Sequence, residues 1–248
     1  MLKRERQEFI IHQLRLHNKV LSADLSQKMS VSEDTIRRDL QELADMGKII
    51  KVHGGALAPS FRPVLQSHDI YSLEKKQVIA QKAVRLLRDG MFVFSGGGST
   101  VVELARSLPE GLRATFITAS LPVAFEYLRH PGIEVIFIGD RISRTAQMAV
   151  GGDALNRIRS FNADLCILGT NALDLHHGLT DNDLEVAQVK RAMIERSARV
   201  VSLSIAEKIG TVQNIQVCPL ERINTLITEL PPADPRLRFF REAGCNVL

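Results

Sequence analysis

Two groups of residues in the sequence have side chains whose types and spacing could recognise a charged partner. The first group lies on a predicted helix over residues 32–45, where the apolar side chains repeat at the spacing of one buried face. A rotation of about 100° per residue places Arg38 and Gln41 opposite that face, with Arg37 beside them. Arg can bond guanine O6 and N7, and Gln can bond adenine N6 and N7, so this face could read bases in the major groove.

Ser32 and Thr35 lie at the N-terminus of the same predicted helix. Hydroxyl groups and free backbone N–H groups at that position can hold a phosphate. Ser32 is also predicted to cap the helix, and Gly47 is predicted to follow its C-terminus. The alternative is a solvated helix face with ordinary charged residues, and periodicity alone does not decide between that face and DNA binding.

The second group is a glycine-rich run, Phe94-Ser-Gly-Gly-Gly-Ser-Thr100, between a predicted buried strand and a predicted helix. Glycines let backbone N–H groups approach an anion closely, and hydroxyl groups at a helix N-terminus add donors. The run lacks the lysine of a P-loop and the spacing of a dinucleotide fingerprint. It predicts a cradle for phosphate or carboxylate, the alternative being a sharp strand-to-helix turn that binds nothing. The predicted cradle residues are Gly96, Gly97, Gly98, Ser99 and Thr100.

Four residues later in the sequence could complete such an anion site. Ligands of parallel α/β sheets bind beyond the carboxyl ends of the strands, and Thr118 and Ser120 follow one predicted strand. Lys208 follows another strand, and a lysine there could meet an anion. Lys190 lies on a predicted helix and could reach a ligand phosphate, although a solvated basic helix face is the commoner arrangement.

No sequence motif indicates catalysis or a metal site. The chain has no Gly-x-Ser-x-Gly elbow, no His-Glu-x-x-His motif and no Cys–His spacing that requires a nucleophile. His176 and His177, with acidic residues nearby, could be drawn as metal ligands or as an acid–base pair. Neighbouring residues seldom ligate one ion, however, and the segment is more simply a polar loop. We therefore predict no catalytic residue, no metal and no cofactor.

The elements that would position the first group form a small helical unit over residues 1–57. Helices are predicted over residues 5–17, 22–29 and 32–45, with Ser22 as the cap of the second. A hairpin or wing follows, formed by residues 49–52 and His53-Gly54-Gly55. Three short helices with a tight turn before the third are the outline of a winged helix-turn-helix.

A second domain is predicted over residues 73–248, beyond a linker at residues 58–72 where prolines break the periodicity. Apolar runs there alternate with amphipathic runs, which is typical of a mostly parallel α/β sheet covered by helices. The predicted buried strands are residues 91–94, 115–118, 135–138, 165–168, 200–203 and 225–228. The predicted helices are residues 75–87, with Val78 facing inward, and residues 101–108, 121–128, 153–159 and 184–196.

The overall composition is that of a globular protein with a mild basic excess. The chain has 248 residues, of which 45% are hydrophobic and 24% charged, and its net charge of +4 slightly favours a polyanionic partner. Its 3 widely spaced cysteines argue against a disulfide scaffold or a Cys-rich zinc site and fit a reducing cytoplasm. No apolar run approaches the roughly 20 residues that a membrane span needs. We expect a cytoplasmic protein with no membrane partner.

One stretch of the sequence closely resembles the N-terminal winged helix-turn-helix of the DeoR family. The matching residues are Ser32-Glu-Asp-Thr-Ile-Arg-Arg-Asp-Leu-Gln-Glu-Leu43, Gly47 and His53-Gly54-Gly55-Ala56. Members of that family are bacterial transcriptional regulators of sugar metabolism, mostly repressors. The resemblance implies a double-stranded operator DNA as partner, with the third helix in the major groove and the wing on the backbone or minor groove. The predicted DNA-binding residues are Ser32, Thr35, Arg37, Arg38, Gln41, His53 and Gly54.

The second domain is similar to the DeoR-family effector domain, which resembles the ribose-5-phosphate isomerase fold with catalysis lost. The resemblance implies that a small anionic metabolite, a phosphorylated sugar or a related compound, controls DNA binding. Family loops commonly read D-S-G-T-T, T-N-S and D-x-S-K, whereas Gly96, Ala119 and Ile205 stand here in place of their Asp, Asn and Asp. An Asp at position 96 and an Asn at position 119 would orient sugar hydroxyls, and a hydrogen or a methyl group cannot replace those bonds. We therefore expect the phosphate part of the site to survive and the sugar-reading part to have diverged.

The function predicted from these patterns is transcriptional regulation, as a repressor of carbohydrate-metabolism genes. Helix-turn-helix proteins usually bind as symmetric pairs on half-sites, so a homo-oligomer is expected, either a dimer or a tetramer. The alternative from another class is an active sugar-phosphate isomerase that kept a DNA-binding appendage.

Overall fold

The computed structural model describes residues 2–17, 19–58 and 71–248, and the chain divides into two compact units. The N-terminal unit is Met1–Tyr71 and the C-terminal unit is Ser72–Leu248. Most of the predicted linker at residues 58–72 lies outside the described residues, as does Asn18, the residue after the predicted first helix. The domain limits 1–57 and 73–248 stay predictions.

The described part of the N-terminal unit contains three helices and a small antiparallel sheet, as expected for a winged helix-turn-helix. Its elements are α1 (Lys3–His17), β1 (Lys19–Leu21), α2 (Ser22–Met29), α3 (Glu33–Asp45), β2 (Ile50–Val52) and β3 (Gly55–Leu57). The strand order is β1-β3-β2, so the wing formed by β2 and β3 pairs with the strand that precedes α2. A Cβ atom on Gly55 would lie 2.0 Å from the carbonyl O of Val20, so this close pairing requires glycine.

The third helix begins and ends as the sequence predicts. The backbone N–H of Thr35 donates to Oγ of Ser32 at 3.3 Å, which caps α3, and Gly47 follows the helix at φ +69°. The prediction for the second helix is wrong in detail. Ser22 is the first residue of α2, and its predecessor Leu21 takes the N-cap position without a side-chain bond.

The core of the N-terminal unit is formed by the apolar faces of its helices. The largest fully buried side chains there are Ile10, Leu14, Leu25, Ile36, Leu40 and Leu43. Asp39 lies on this buried face of α3, and its Oδ2 accepts a hydrogen bond from Nε of Arg6 at 2.7 Å. The pair joins α1 to α3, so Arg6 supplies the partner that a buried carboxylate needs.

The C-terminal unit is built on a seven-stranded sheet that helices cover. Its described elements are α4 (Leu73–Val84), β4 (Phe92–Ser95), α5 (Ser99–Arg106), β5 (Ala114–Thr118), α6 (Leu121–Tyr127), β6 (Ile133–Phe137), β7 (Arg141–Ser143), β8 (Met148–Val150), α7 (Gly152–Arg159), β9 (Ala163–Gly169), β10 (Ala172–Asp174), β11 (Gly178–Asp181), α8 (Leu184–Glu195), β12 (Ser197–Leu203), β13 (Ile215–Cys218), β14 (Thr225–Ile227), α9 (Arg238–Glu242) and β15 (Asn246–Val247). The order in the large sheet is β15-β14-β12-β9-β4-β5-β6, and every adjacent pair is parallel. The predicted mostly parallel sheet is confirmed, and the loops after β4, β5, β9 and β12 therefore lie at one edge.

Several parts of this unit differ from the sequence-based expectations. Strand β6 is not buried as predicted, because it is an edge strand, and Phe137 on it is 38% exposed. Val78 on α4 faces solvent with 45% of its surface exposed, so its predicted inward orientation is wrong. The hairpin of β7 and β8 and the small antiparallel sheet β10-β11-β13 were not predicted, because strands of three or four residues show no clear alternation.

Candidate DNA interface and anion site

Helix α3 presents the polar face that the sequence predicts. Arg37, Arg38 and Gln41 are exposed, whereas Ile36 and Leu40 are buried on the opposite side. Ser32 at the N-cap is also exposed, and Thr35 in the first turn is half-buried. One side of α3 thus carries two guanidinium groups, one amide and two hydroxyl groups, which are suited to phosphates and base edges.

Both arginines of this face are held by Asp34, a residue that the sequence reasoning did not select. An Nη2 atom of Arg37 lies 2.5 Å from Asp34 Oδ1, and Nη2 of Arg38 lies 2.7 Å from Asp34 Oδ2. The hydrogen bond from Arg37 and then the charge of Arg38 lower the pKa of Asp34. The spacing of three and four residues was the available signal, since such residues are neighbours on a helix surface. A DNA phosphate that binds either arginine must therefore compete with Asp34.

A second set of contacts joins the wing to α3. Nζ of Lys51 on β2 donates to Oε1 of Gln41 at 2.8 Å. Nε2 of the same glutamine donates to Oδ1 of Asp45 at 2.7 Å. Lys51 and Asp45 were not among the predicted site residues, and nothing in the local sequence indicated that a wing side chain would reach α3.

The two predicted wing residues form the turn between β2 and β3. Both His53 and Gly54 are exposed, and Gly54 has a φ of +75°, which glycine adopts readily. The carbonyl O of Gly54 accepts the backbone N–H of Ser22 at 2.8 Å. The turn is thereby anchored to the start of α2 while its outer side faces solvent.

The glycine-rich run connects β4 to α5, as predicted. Gly98 precedes α5 with a φ of +105°, and the first N–H groups of a helix have no acceptor within the helix. One expected donor is used elsewhere, because the N–H of Gly96 donates to the carbonyl O of Ile167 at 2.9 Å. That bond continues the pairing of β4 with β9, so the backbone N–H groups that remain candidates for holding an anion are those of Gly97, Gly98, Ser99 and Thr100.

The loops after three neighbouring strands meet around Gly97. A Cβ atom placed on Gly97 would lie 3.3 Å from Oγ of Ser120, and one placed on Gly169 would lie 2.6 Å from the carbonyl O of Gly97. Oγ1 of Thr118 accepts the backbone N–H of Ser120 at 3.1 Å, and both side chains are buried. The end of β4, the end of β5 and the end of β9 are therefore in close contact at the carboxyl edge.

Both predicted lysines reach the end of β9. Nζ of Lys190 donates to the carbonyl O of Gly169 at 3.0 Å, and Nζ of Lys208 donates to the carbonyl O of Thr170 at 2.8 Å. Lys190 also forms an ion pair with Asp181 at 2.8 Å, with only 7% of its side chain exposed. The expectation of a solvated basic face at Lys190 is wrong, because α8 packs its residue 190 against the sheet edge.

Burial and neighbouring charges shift the pKa values of three groups at this edge. Burial, followed by the charges of Lys76 and Lys190, lowers the pKa of Lys208 to about 7. Burial also lowers the pKa of Lys76 to about 8, against the opposing effect of Glu103 and then Glu207. Burial would raise the pKa of Asp181, but the charge of Lys190 and its hydrogen bond lower it overall. An anion placed here would stabilise the protonated lysines.

Lys76 is one of the charged residues at this edge, and the sequence reasoning missed it. It lies on α4 and is 6% exposed. Its spacing from the buried Ile79 and Ala83 is three and seven residues, which places all three on one helix face. A lysine at an inward position was thus a signal for a buried cation.

The segment with His176 and His177 is a polar turn between β10 and β11. The carboxylate of Asp174 accepts the N–H groups of His176 at 2.9 Å and His177 at 3.0 Å, and lies 2.9 Å from Nδ1 of His177. The other two acids serve elsewhere, since Asp181 binds Lys190 and Asp183 caps α8. The residues that the structure describes contain no group of three or more potential metal ligands.

Two family models match this chain in succession. The model of the DeoR-like helix-turn-helix domain matches residues 6–61, and that of the DeoR C terminal sensor domain matches residues 72–230. The chain belongs to the DeoR family. As a DeoR-family protein it is a transcription regulator with a helix-turn-helix and a sensor domain, not an enzyme, which decides against the isomerase alternative.

Curated relatives extend the DeoR-family match over almost the whole chain. The HTH-type transcriptional regulator GolR of Listeria innocua is 33% identical over 246 residues, which cover 98% of this chain and 97% of that protein. The HTH-type transcriptional regulator GlpR of Haloferax volcanii is 36% identical over 208 residues, covering 83% and 81%. The glycerol-3-phosphate regulon repressor of Escherichia coli is 29% identical over 234 residues, covering 94% and 93%.

Solved structures align with part of the chain. Ribose 5-phosphate isomerase A from Methanocaldococcus jannaschii aligns with 54% of this chain and 53% of its own, at 18% identity and a TM-score of 0.41.

Among the helices of the described residues, none has the length and apolar character needed to cross a membrane.

Proposed function

We propose that this chain is a cytoplasmic repressor of carbohydrate-metabolism genes, which binds operator DNA and is controlled by a phosphorylated sugar or a related anionic metabolite. The observation that carries the proposal is the meeting of the glycine-rich run, Ser120, Lys190 and Lys208 around the end of β9. In a parallel sheet this is the edge at which ligands bind.

The DNA-binding part of the proposal rests on the exposed face of α3 and on the wing. Arg38 and Gln41 have the chemistry to bond base edges, whereas Ser32, Thr35 and Arg37 lie nearer the helix N-terminus, where phosphates bind. The turn at His53 and Gly54 joins β2 and β3, the two strands that follow α3, and it is exposed. This turn would contact the DNA backbone or minor groove. This division assigns affinity to the phosphate contacts and sequence preference to the base contacts.

The ligand-binding part rests on the donors and charges at the carboxyl edge. The N-terminus of α5 offers backbone N–H groups together with the hydroxyls of Ser99 and Thr100. The charges of Lys76 and Lys190 act on Lys208 against those of Asp181 and Glu207, and an anion would offset the repulsion among the three lysines. Ala119 and Ile205 are buried apolar residues, so the ligand's hydroxyls would be read by other groups than in the usual family pattern.

The proposed regulation needs a path from the anion site towards the DNA-binding unit. Lys76 lies in the first turn of α4, and α4 is the first helix of the C-terminal unit. An anion that binds the protonated Lys76 would act on the beginning of that helix. A ligand can change DNA affinity only by binding the DNA-competent and incompetent states differently, so this helix is the proposed sensor of the bound state.

The proposed homo-oligomer, a dimer or a tetramer, is supported by apolar surface on the C-terminal unit. Phe125 on α6 is 51% exposed, Leu128 directly after that helix is 68% exposed, and Phe137 on the edge strand β6 is 38% exposed. Exposed apolar groups on neighbouring elements favour contact with another chain. A symmetric pair of chains would present two copies of α3 to two operator half-sites.

The proposal is tested by fluorescence anisotropy with the full-length protein. The probes are a duplex from upstream of its own gene and a scrambled duplex of equal length, each at several salt concentrations. Ribose 5-phosphate, glucosamine 6-phosphate and other sugar phosphates are added, with the corresponding neutral sugars as controls. We expect sequence-dependent binding that at least one phosphorylated compound weakens. Equal and steeply salt-dependent binding to both duplexes would contradict sequence-specific regulation.

A glycine variant isolates the anion site from the rest of the protein. Gly98→Val places a β-branched side chain at a φ of +105°, where L-residues are strained. We expect it to remove the response to sugar phosphates and to keep DNA binding in their absence. Gly111→Val is the matched control, because a Cβ atom there meets nothing within 4 Å and the backbone is not in the left-handed region. Tight calorimetric binding of a neutral sugar without any binding of a phosphorylated one would contradict the anion site.

A further inference from the structure

Gln41 on α3 is hydrogen-bonded to two side chains of opposite charge. Its Oε1 atom accepts a hydrogen bond from Nζ of Lys51 at 2.8 Å, and its Nε2 atom donates one to Oδ1 of Asp45 at 2.7 Å. Lys51 is on β2 of the wing and Asp45 is the last residue of α3. The amide of Gln41 is thus the middle member of a continuous hydrogen-bonded chain from the wing to the recognition helix.

This arrangement determines which way the Gln41 amide is turned. An ammonium group only donates hydrogen bonds, and an ionised carboxylate only accepts them. Rotation of the amide by half a turn would place its NH2 group against Lys51 and its oxygen against Asp45, so that both contacts become repulsive. A free glutamine on a helix surface has no such preference.

A defined amide orientation is one property that adenine recognition demands of a glutamine. The amide must direct its oxygen to adenine N6 and its nitrogen to adenine N7 at the same time. Each end of the Gln41 amide keeps capacity for this, because the oxygen has a second lone pair and the nitrogen a second hydrogen. Lys51 and Asp45 can therefore hold the amide without using up the groups that would meet the base.

We propose that Lys51 and Asp45 are positioning residues that orient the Gln41 amide for one adenine, and so set the base preference of this regulator at one operator position. The inference rests on the proposed DNA-reading role of α3. It assigns to the wing a part in sequence selection in addition to any contact that its turn makes with the DNA backbone. The chemically closest alternative is that Lys51 simply neutralises a phosphate.

The two roles differ in what they do to base preference and to salt dependence. The wild-type full-length protein first enriches duplexes from a randomised pool, and affinities are then measured for an enriched duplex and its single-base-pair variants. Gln41→Ala identifies the base pair that Gln41 reads. We expect Lys51→Met and Asp45→Ala each to reduce the preference at that same base pair by about fivefold, the effect of losing one net hydrogen bond. Asp45→Asn should restore it, since the Asn oxygen can still accept from Gln41.

Lys48→Met is the matched control for the loss of one positive charge from the same segment. Lys48 is exposed and lies two residues before the first residue of β2. Its replacement should therefore leave all base preferences unchanged. All five variants change exposed side chains, and thermal melts verify that each one folds.

Three results would overturn the inference. Lys51→Met could weaken binding equally for every duplex while reducing the salt slope by about one, which identifies a phosphate contact. Gln41→Ala could leave every base preference intact although the wild-type protein enriches a sequence, in which case α3 reads DNA without this chain of contacts. Failure of the wild-type protein to enrich any sequence would remove the proposed DNA-reading function together with the inference.

Discussion

Nζ of Lys190 lies 2.8 Å from Oδ2 of Asp181, and the two side chains are 7% and 5% exposed. The pair connects α8 to β11, and the same Nζ donates to the carbonyl O of Gly169 at the end of β9. Burial of two charges is costly unless both are present and hydrogen-bonded. This contact therefore holds together three elements that surround the proposed anion site.

Removal of one member of this pair should destabilise the C-terminal unit. Asp181→Asn leaves the ammonium of Lys190 buried without its counter-charge, and we expect the free energy of unfolding to fall by about 3 kcal/mol. Urea denaturation of the full-length protein, followed by circular dichroism, measures the loss. The single variant Lys190→Met should have a similar effect, because it leaves the carboxylate of Asp181 without its cation.

The double variant Lys190→Met with Asp181→Asn separates pairing from packing. Since it removes both buried charges, we expect it to be more stable than the sum of the single losses predicts. Strictly additive losses would mean that the two side chains do not depend on each other.

The pKa of Lys208, near 7, predicts that anion binding is linked to protonation. At pH 8 most of this amine is neutral in the free protein, and a bound dianion would raise its pKa and so draw in a proton. Calorimetric titration with ribose 5-phosphate at pH 8, in two buffers of different ionisation enthalpy, measures that uptake. Lys208→Arg should abolish most of it, because a guanidinium stays charged. Equal proton uptake by this variant and the wild-type protein would contradict the prediction.

The same shift has a defined effect on stability. Because the folded-state pKa of Lys208 is about 7 and the ordinary value is 10.5, the unfolded chain binds more protons between these two pH values. The contribution of Lys208 to the free energy of unfolding should therefore rise with pH across that window and be lost as the pH falls through 7. Comparison of urea midpoints for wild-type and Lys208→Met at about pH 6.5, just below the window, and at about pH 9.5, inside it, tests the sign.

Arg38→Ala should weaken binding to the operator and relax the preference at one base pair. A bidentate bond to guanine would make the loss about 1–3 kcal/mol for the correct duplex and much less for a duplex altered at that position. Anisotropy with an operator and its single-base-pair variants measures the difference. A uniform loss on all duplexes, with a smaller salt slope, would instead show that Arg38 binds a phosphate.

Asp34→Asn should strengthen DNA binding. The carboxylate holds both Arg37 and Arg38 and repels phosphates, so its neutralisation frees two cations for DNA. We expect a gain of roughly threefold to tenfold at moderate salt for all duplexes. Glu33→Gln is the control, because it removes an equal charge from the preceding exposed position. If Glu33→Gln gave the same gain, net charge rather than the release of the arginines would be the cause.

The elements with long and regular patterns were predictable from the sequence. The apolar spacing of Ile36, Leu40 and Leu43 indicated α3 and its exposed face, and the continuous apolar runs indicated the central parallel strands. The small antiparallel strands were not predictable, since pairing rather than local pattern creates a three-residue strand.

The partners of charged residues were also not predictable from the sequence pattern. Lys190 and Lys208 were selected for the anion site, but the partner of Lys190 is set by the turn from β11 to α8, which the sequence pattern did not reveal. Asp39 lay at an inward helical position, yet its partner Arg6 is 33 residues away on another helix. Single-sequence patterns place a side chain on a face, and only tertiary packing determines what it meets there.

The pairing of β3 with both β1 and β2 has a consequence for the layout of the operator. Because the wing is joined to the strand before α2, and Lys51 joins it to α3, the distance between the helix and the tip of the wing is set within one folded piece. In the proposed complex with DNA, that piece would keep α3 and the wing a fixed distance apart along the duplex. One base pair inserted between the stretch covered by α3 and the stretch covered by the wing should abolish recognition of a half-site, even where every contacted base is retained.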